Sequence, residues 1–119
     1  MNTGDFVMTR TGYVCTSGDA GELLTWCLHT KDEKGSLGKG NYANYSNAEV
    51  DHISEENLLV LDPRTRLEML QRAMQIISDE IPYLPLLIYD DVYIVSNRIY
   101  WTPLVSGEIK AKTISYRTQ

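Results

Sequence analysis

An amphipathic stripe with a marked start and a marked stop runs from Asp62 to Pro82, and it sets most of what this chain can become. The Asp62 carboxylate can cap the free amides of a first helical turn, and Pro63 at the first helical position loses no hydrogen bond. Leu67, Leu70, Met74 and Ile77 then recur at helical spacing, and Ala73 and Ile76 widen the face. Arg64, Glu68, Arg72 and Gln75 take the opposite side. Glu80-Ile81-Pro82 ends the helix, because the residue before a proline is pushed out of the α region. A stripe of this kind is usually a core surface rather than a ligand surface. The pattern predicts a helix from Pro63 to about Asp79 at the centre of the fold.

The flanking segments read less sharply. Asp5 to Tyr13 alternates weakly and is expected to be a strand. Ser17-Gly18-Asp19 is turn chemistry, with Asp19 placed to cap a helix beginning at Ala20. Ala20 to His29 reads as that short helix, with Leu23, Leu24, Cys27 and Leu28 on one side. Thr30 to Tyr45 carries glycines and lysines without periodicity and is expected to be a long surface loop. A second helix is expected from Asn47 to about Leu61, with Val50, Ile53, Leu58 and Leu61 as its stripe. Leu84 to Tyr89, Val92 to Ser96 and Lys110 to Tyr116 read as strands, and Tyr100 to Gly107 as irregular chain. Strands at both ends with helices between give an α/β or α+β unit, and 119 residues make a single domain.

Charge narrows the partners. The formal charge of -5 argues against nucleic acid and against an anionic membrane surface. The Lys31 to Lys39 run is mixed in sign and reads as a solvated loop. No apolar run approaches the roughly 20 residues of a membrane span. Asn2 to Tyr13 holds no apolar signal-peptide core. Cys15 and Cys27 leave two arrangements open: a bridge, which an oxidising compartment would permit, and two buried free thiols, the more frequent outcome.

Catalytic chemistry finds little to stand on. There is no G-x-S-x-G elbow. His29 sits near a helix C-terminus, where it is a favourable dipole partner, and His52 lies on an expected surface face. No further His or Cys stands at ligand spacing, so no metal set is expected. Glu55-Glu56 and Asp90-Asp91 are sequence neighbours whose side chains point apart. No catalytic residue and no cofactor are assigned, and the chain reads as a non-enzyme. A small hydrolase is the weakest of the rival readings.

Taken in order, the motifs resemble those in the C-terminal region of the oligopeptide, dipeptide and nickel type of extracellular solute-binding proteins (solute-binding protein family 5). Gly4 to Met8 and Gly12 to Ala20 stand where that family has a strand leading to an aromatic-x-x-Asp-x-x-Asp turn. Asn41, Tyr45, Ser46, Asn47, Glu49, Val50 and Asp51 match its N-x-x-x-Y-S-N-P-E-V-D pattern, with Ala48 in place of proline. Asp62, Arg66, Ala73, Ile76, Ile77, Glu80, Pro82, Pro85 and Leu86 match the next stretch.

The resemblance implies a fragment of a two-lobed, type II periplasmic-binding-protein-like fold, of which this chain would be the C-terminal portion of one lobe. It implies capture of a peptide-like solute, sugar or metal complex for delivery to an ABC permease in the membrane. It implies a periplasmic or extracellular setting, with a membrane anchor in the full-length protein. The implied ligand wall is Tyr13, Cys15, Thr16 and Asp19. Tyr13 stands where tryptophan is usual, and Thr16 stands where an aspartate pairs with a peptide ammonium. Helix capping is the competing role for Asp19. The partners implied are a small-molecule or peptide ligand, the permease and the remaining lobe, and not nucleic acid. An isolated fragment would expose surface meant for the missing chain, a route to dimers. The rival from another class is a stand-alone protein-interaction domain.

Overall fold

The computed structural model describes residues 8–117. Three helical segments carry the core. The first is α1, Ala20–Leu23, which runs directly into a π-helical turn, Leu24–Leu28. Helix α2 is Ala48–Glu56 and α3 is Pro63–Glu80. A two-stranded antiparallel sheet comes next, β1 (Ile99–Tyr100) against β2 (Ser115–Tyr116), with Ile99 opposite Tyr116. A 3-10 turn, Ala111–Thr113, precedes β2. The mix of helices with a small sheet is an α+β architecture.

Each helix starts on the residue that its sequence marks. The Asp62 carboxylate accepts from the Thr65 amide at 2.8 Å, with Pro63 at the first position of α3. The Asn47 side chain accepts from the amides of Glu49 and Val50. Asp19 accepts from the Gly21 amide at 2.7 Å. Helix α3 ends where expected: Ile81 sits in the left-handed region at φ 46°. A β-branched residue there costs about 1–2 kcal/mol. Pro82 explains it, since it bars the right-handed alternative at the residue before it.

The core is small. Leu24, Leu28, Val50, Ile53, Leu70, Ala73 and Ile76 are buried together, with Leu23, Cys27, Tyr45, Met69, Met74, Ile77 and Tyr83 packed around them. Thus the π turn, α2 and α3 share one apolar centre. Some members of the expected stripes fall outside it. Leu67 is half exposed, and α2 stops at Glu56, short of the expected Leu61, leaving Leu58 and Leu61 exposed. Asn57 is the reason for the early stop. Its side-chain amide donates back to the carbonyls of Ile53 and Ser54, which closes the helix end with local bonds.

The expected strands need correction. Leu84 to Tyr89 and Val92 to Ser96 are in no ladder, and only Ser115 and Tyr116 of the Lys110 to Tyr116 segment are paired. Residues 8–13 form no strand, and residues 5–7 of that expected element lie outside the described residues. An apolar run becomes a buried strand only if another strand or layer meets it. Among the described residues none does, so Ile88 is 97% exposed and Ile94 99%. The radius of gyration is 18.1 Å, against about 13.5 Å for a compact domain of this length. The excess reflects a chain that leaves the core after Tyr83. Trp101 is met by Tyr93 edge-on, 4.9 Å between ring centres.

Candidate functional site

The turn that enters α1 gathers its side chains on one carboxylate. Gly18, at φ 71°, reverses the chain, and the Gly18 amide reaches the Cys15 carbonyl. This brings residues 13–17 over the start of α1, where Glu22 stands. The Tyr13 hydroxyl donates to Glu22 Oε1 at 2.9 Å, and so do the Thr16 amide and hydroxyl, at 3.2 and 3.1 Å. The Ser17 amide donates to Oε2 at 2.8 Å, joined by the Ser17 hydroxyl. The Cys15 thiol is shared between the Asp19 carbonyl, at 3.3 Å, and Oε2, at 3.7 Å.

So Tyr13, Cys15 and Thr16 do come together, but around a residue that the sequence reading left out. Glu22 lies three residues after the N-cap Asp19, the spacing of a capping box, and that spacing was the available signal. Here the glutamate reaches past the cap to the turn before it.

That crowd of donors fixes the electrostatics. The hydrogen bonds from Ser17 and Tyr13, with the Thr16 amide, hold the Glu22 carboxyl down at about 2. Burial, then the neighbouring Glu22 charge, pushes the Tyr13 hydroxyl above its ordinary range. Glu22 therefore stays ionised at neutral pH and is a poor base toward the Ser17 hydroxyl, since a useful base has a pKa near the working pH. Each oxygen also has its lone pairs directed at donors of the turn. The cluster organises the loop.

Asp19, the fourth expected residue, faces the other way. Its carboxylate forms a two-pronged pair with Arg66 of α3, at 2.7 and 2.8 Å. Arg66 also donates to the Asn57 carbonyl and side-chain oxygen, both at 3.1 Å. The hydrogen bonds from Arg66 and from the Gly21 amide hold the Asp19 carboxyl below its usual value. Gly21 is buried within this knot. A Cβ there would lie 2.8 Å from Asn57 Oδ1, 2.9 Å from Asp19 Oδ1 and 3.1 Å from an Arg66 nitrogen. Outside the knot lies an open cavity of about 380 Å³. Ser17, Asp19, Glu22 and Arg66 form its polar side, and Leu37 and Leu58 its apolar side.

The second cluster holds the 31–47 loop to the helices. Asn41 is fully buried. Its amide donates to the carbonyls of His29 and Tyr45, and its oxygen accepts from the Tyr45 amide at 3.0 Å. Glu80 at the end of α3 accepts from the Tyr45 hydroxyl at 2.6 Å and the Asn47 amide group at 2.9 Å. Asp51 accepts from the Thr30 amide at 2.8 Å and from the Thr30 hydroxyl. The Tyr83 hydroxyl accepts from the amides of Tyr42 and Ala43.

Cys15 and Cys27 are both free thiols and half-buried, and burial pushes the Cys27 thiol up to about 11. His29 is buried, whereas His52 is exposed. Among the described residues there is no group of three or more His, Cys, Asp and Glu side chains that could hold a metal ion. No described helix is long and apolar enough to cross a membrane.

Comparison with known proteins adds one relative. The chain is 28% identical over 96 residues to an uncharacterized lipoprotein of Mycobacterium tuberculosis. The match covers 81% of this chain and 16% of that protein, so the chain spans less than a fifth of the relative's length. No family model matches the chain, and no solved structure matches it.

Proposed function

We propose that this chain is one wall of the ligand cleft in the substrate-binding component of an ABC importer, of the oligopeptide, dipeptide and nickel type. The observation that carries the reading is how the motif residues meet. Asp19 pairs with Arg66 across 47 residues, and Tyr45 and Asn47 both end on Glu80, 35 and 33 residues away. Residues matched to one family pattern at widely separated positions thus bind one another. That is what a shared structural frame requires, and it supports the resemblance over a chance likeness of short motifs. The match to a small part of a longer lipoprotein supports a piece of a larger, membrane-anchored or extracellular protein.

In this reading the cleft face lies at the turn 13–19, beside the cavity on Arg66. Closure of a second lobe over it would exclude water and strengthen each polar contact inside. Thr16 carries no charge, and the nearby Glu22 is engaged by the turn itself. A free ammonium group therefore finds no open carboxylate at this position, which favours ligands without one or an ammonium partner on the other lobe.

Calorimetric titration tests the proposal. The present chain and the full reading-frame product that contains it are each titrated with mixed peptides, oligosaccharides and nickel. The expected result is saturable binding by the longer protein and none at comparable concentration by the chain alone. Saturable sub-micromolar binding by the chain alone would overturn the incomplete-cleft reading. The exposed Ile88 and Ile94 favour one alternative, a stand-alone domain that docks a separate protein. A reading frame that ends with this chain at both sides would support that alternative.

A further inference from the structure

The imidazole of His29 is enclosed between two groups that accept and do not donate. Its Nδ1 lies 2.6 Å from the Thr30 carbonyl oxygen, and its Nε2 lies 3.0 Å from Glu55 Oε1. A neutral imidazole carries one N–H, whereas the imidazolium carries two. A carbonyl and an ionised carboxylate can both be satisfied only by the doubly protonated ring. The side chain is 9% exposed, while that of Glu55 is 56% exposed, so His29 is the enclosed partner and Glu55 the solvated one.

We propose that His29 is held as a buried imidazolium that latches the end of the first helical segment to α2, so that this junction loosens as the ring loses its proton. The charged surroundings fit a cation. From α2 come two carboxylates one helical turn apart, Glu55 and Asp51, the latter 3.7 Å from Nδ1. Asp51 also grips the Thr30 amide and hydroxyl, which fixes the carbonyl that the ring donates to. From the 31–47 loop, Asn41 contributes an uncharged amide to the His29 carbonyl. The neighbouring cation, Lys31, is turned away onto Asn44 Oδ1 at 2.8 Å. Burial alone pulls the ring's pKa down, but the Thr30 carbonyl, Glu55 and Asp51 together outweigh it, and the net direction is upward from 6.5.

The direction of that shift sets the direction of the stability change. A raised folded-state value means that the latch contributes in full below the free histidine value of about 6.5 and is lost as pH rises through the folded-state midpoint. Each unit between those two values changes the folding equilibrium about tenfold across that window. This inference stands apart from the receptor reading, because it uses only contacts within the described core.

The test is a pH titration of imidazole nitrogen resonances in the full chain, with His52→Gln removing the other imidazole signal. The expected result is two protonated ring nitrogens at pH 6 and a midpoint above about 6.5. Glu55→Gln is expected to lower that midpoint without unfolding, since it keeps the ring and changes a half-exposed side chain. Hydrogen exchange at the Thr30 amide, corrected for its intrinsic pH dependence, is expected to quicken as the ring titrates. His29→Gln is expected to abolish that step. A neutral ring at pH 6, a midpoint at or below the free value, or exchange at Thr30 that ignores the titration would each overturn the proposal.

Discussion

Gly21→Ala isolates the knot that joins α1 to α3. On propensity alone alanine in a helix gains up to about 1 kcal/mol over glycine. The surroundings oppose it. The added methyl would stand 2.8 Å from Asn57 Oδ1 and 2.9 Å from Asp19 Oδ1, closer than carbon and oxygen approach without displacement. Asn57 cannot easily turn aside, because it is fully buried and its amide is committed to Ile53 and Ser54 at 2.9 and 2.6 Å.

The displaced group would then be the Arg66 fork, which loses its bond to Asn57 and the alignment of its pair with Asp19. Hydrogen bonds to charged groups contribute about 1.5–3 kcal/mol each, and the partial exposure of this pair places it toward the low end. Set against the propensity gain, the net loss is about 1–2 kcal/mol. Urea unfolding is the assay. With a slope of about 1–3 kcal/mol per molar, the midpoint falls by roughly 0.5–1 M at unchanged slope. Gly12→Ala is the control, since nothing lies within 4 Å of its Cβ position. The effect of Gly21→Ala is also expected to shrink in an Arg66→Leu background. A midpoint unchanged or raised by Gly21→Ala would refute the idea that this close approach is what the glycine permits.

Three further outcomes are expected. Asn41→Ala strands two carbonyls and one amide in the interior and is expected to cost about 3 kcal/mol or more by the same unfolding assay, given about 1–3 kcal/mol per unsatisfied group; Asn41→Asp is expected to be nearly as harmful. Glu22 is held down at about 2, so its contribution is complete above the free glutamate value and is lost as pH falls toward the folded one. Glu22→Gln is accordingly expected to flatten the acid limb of the stability profile between about pH 4.5 and 2, read by circular dichroism. Ile88→Ser with Ile94→Ser changes side chains that are almost wholly exposed. The pair is expected to leave the unfolding free energy within about 0.5 kcal/mol of the original while reducing self-association in analytical ultracentrifugation; a large loss of stability would mean that these side chains are packed.

The features that were legible in the sequence are those decided within a few residues. Asp62-Pro63 marked the start of α3 and Ile81-Pro82 its end because capping and proline sterics act locally. The first helical segment was legible from Asp19 and the spacing of Leu24 and Leu28. The strands were not. Leu84 to Ile88 is apolar enough to be buried, but burial requires a second surface, and a period of hydrophobicity does not say whether that surface is present. The site shows the same division. Capping by Asp19 came from local chemistry, whereas its pairing with Arg66 depends on how α3 crosses α1. Glu22 was overlooked because a charged residue in a first turn satisfies the helix dipole and so attracts no further question.

The π turn at Leu24–Leu28 carries a last consequence. Its defining bond runs from the His29 amide to the Leu24 carbonyl at 2.8 Å, five residues back instead of four. A π turn is a helix that has taken in one extra residue. Removing a single residue from this segment would restore ordinary winding and rotate everything after it by about 100°, the angle per residue of an α-helix. His29 would then leave the Asp51–Glu55 face, and Thr30 would lose its grip on Asp51. The alignment of two acidic side chains with one imidazole thus depends on an irregularity one residue long, which makes this core more sensitive to a deletion there than to most substitutions around it.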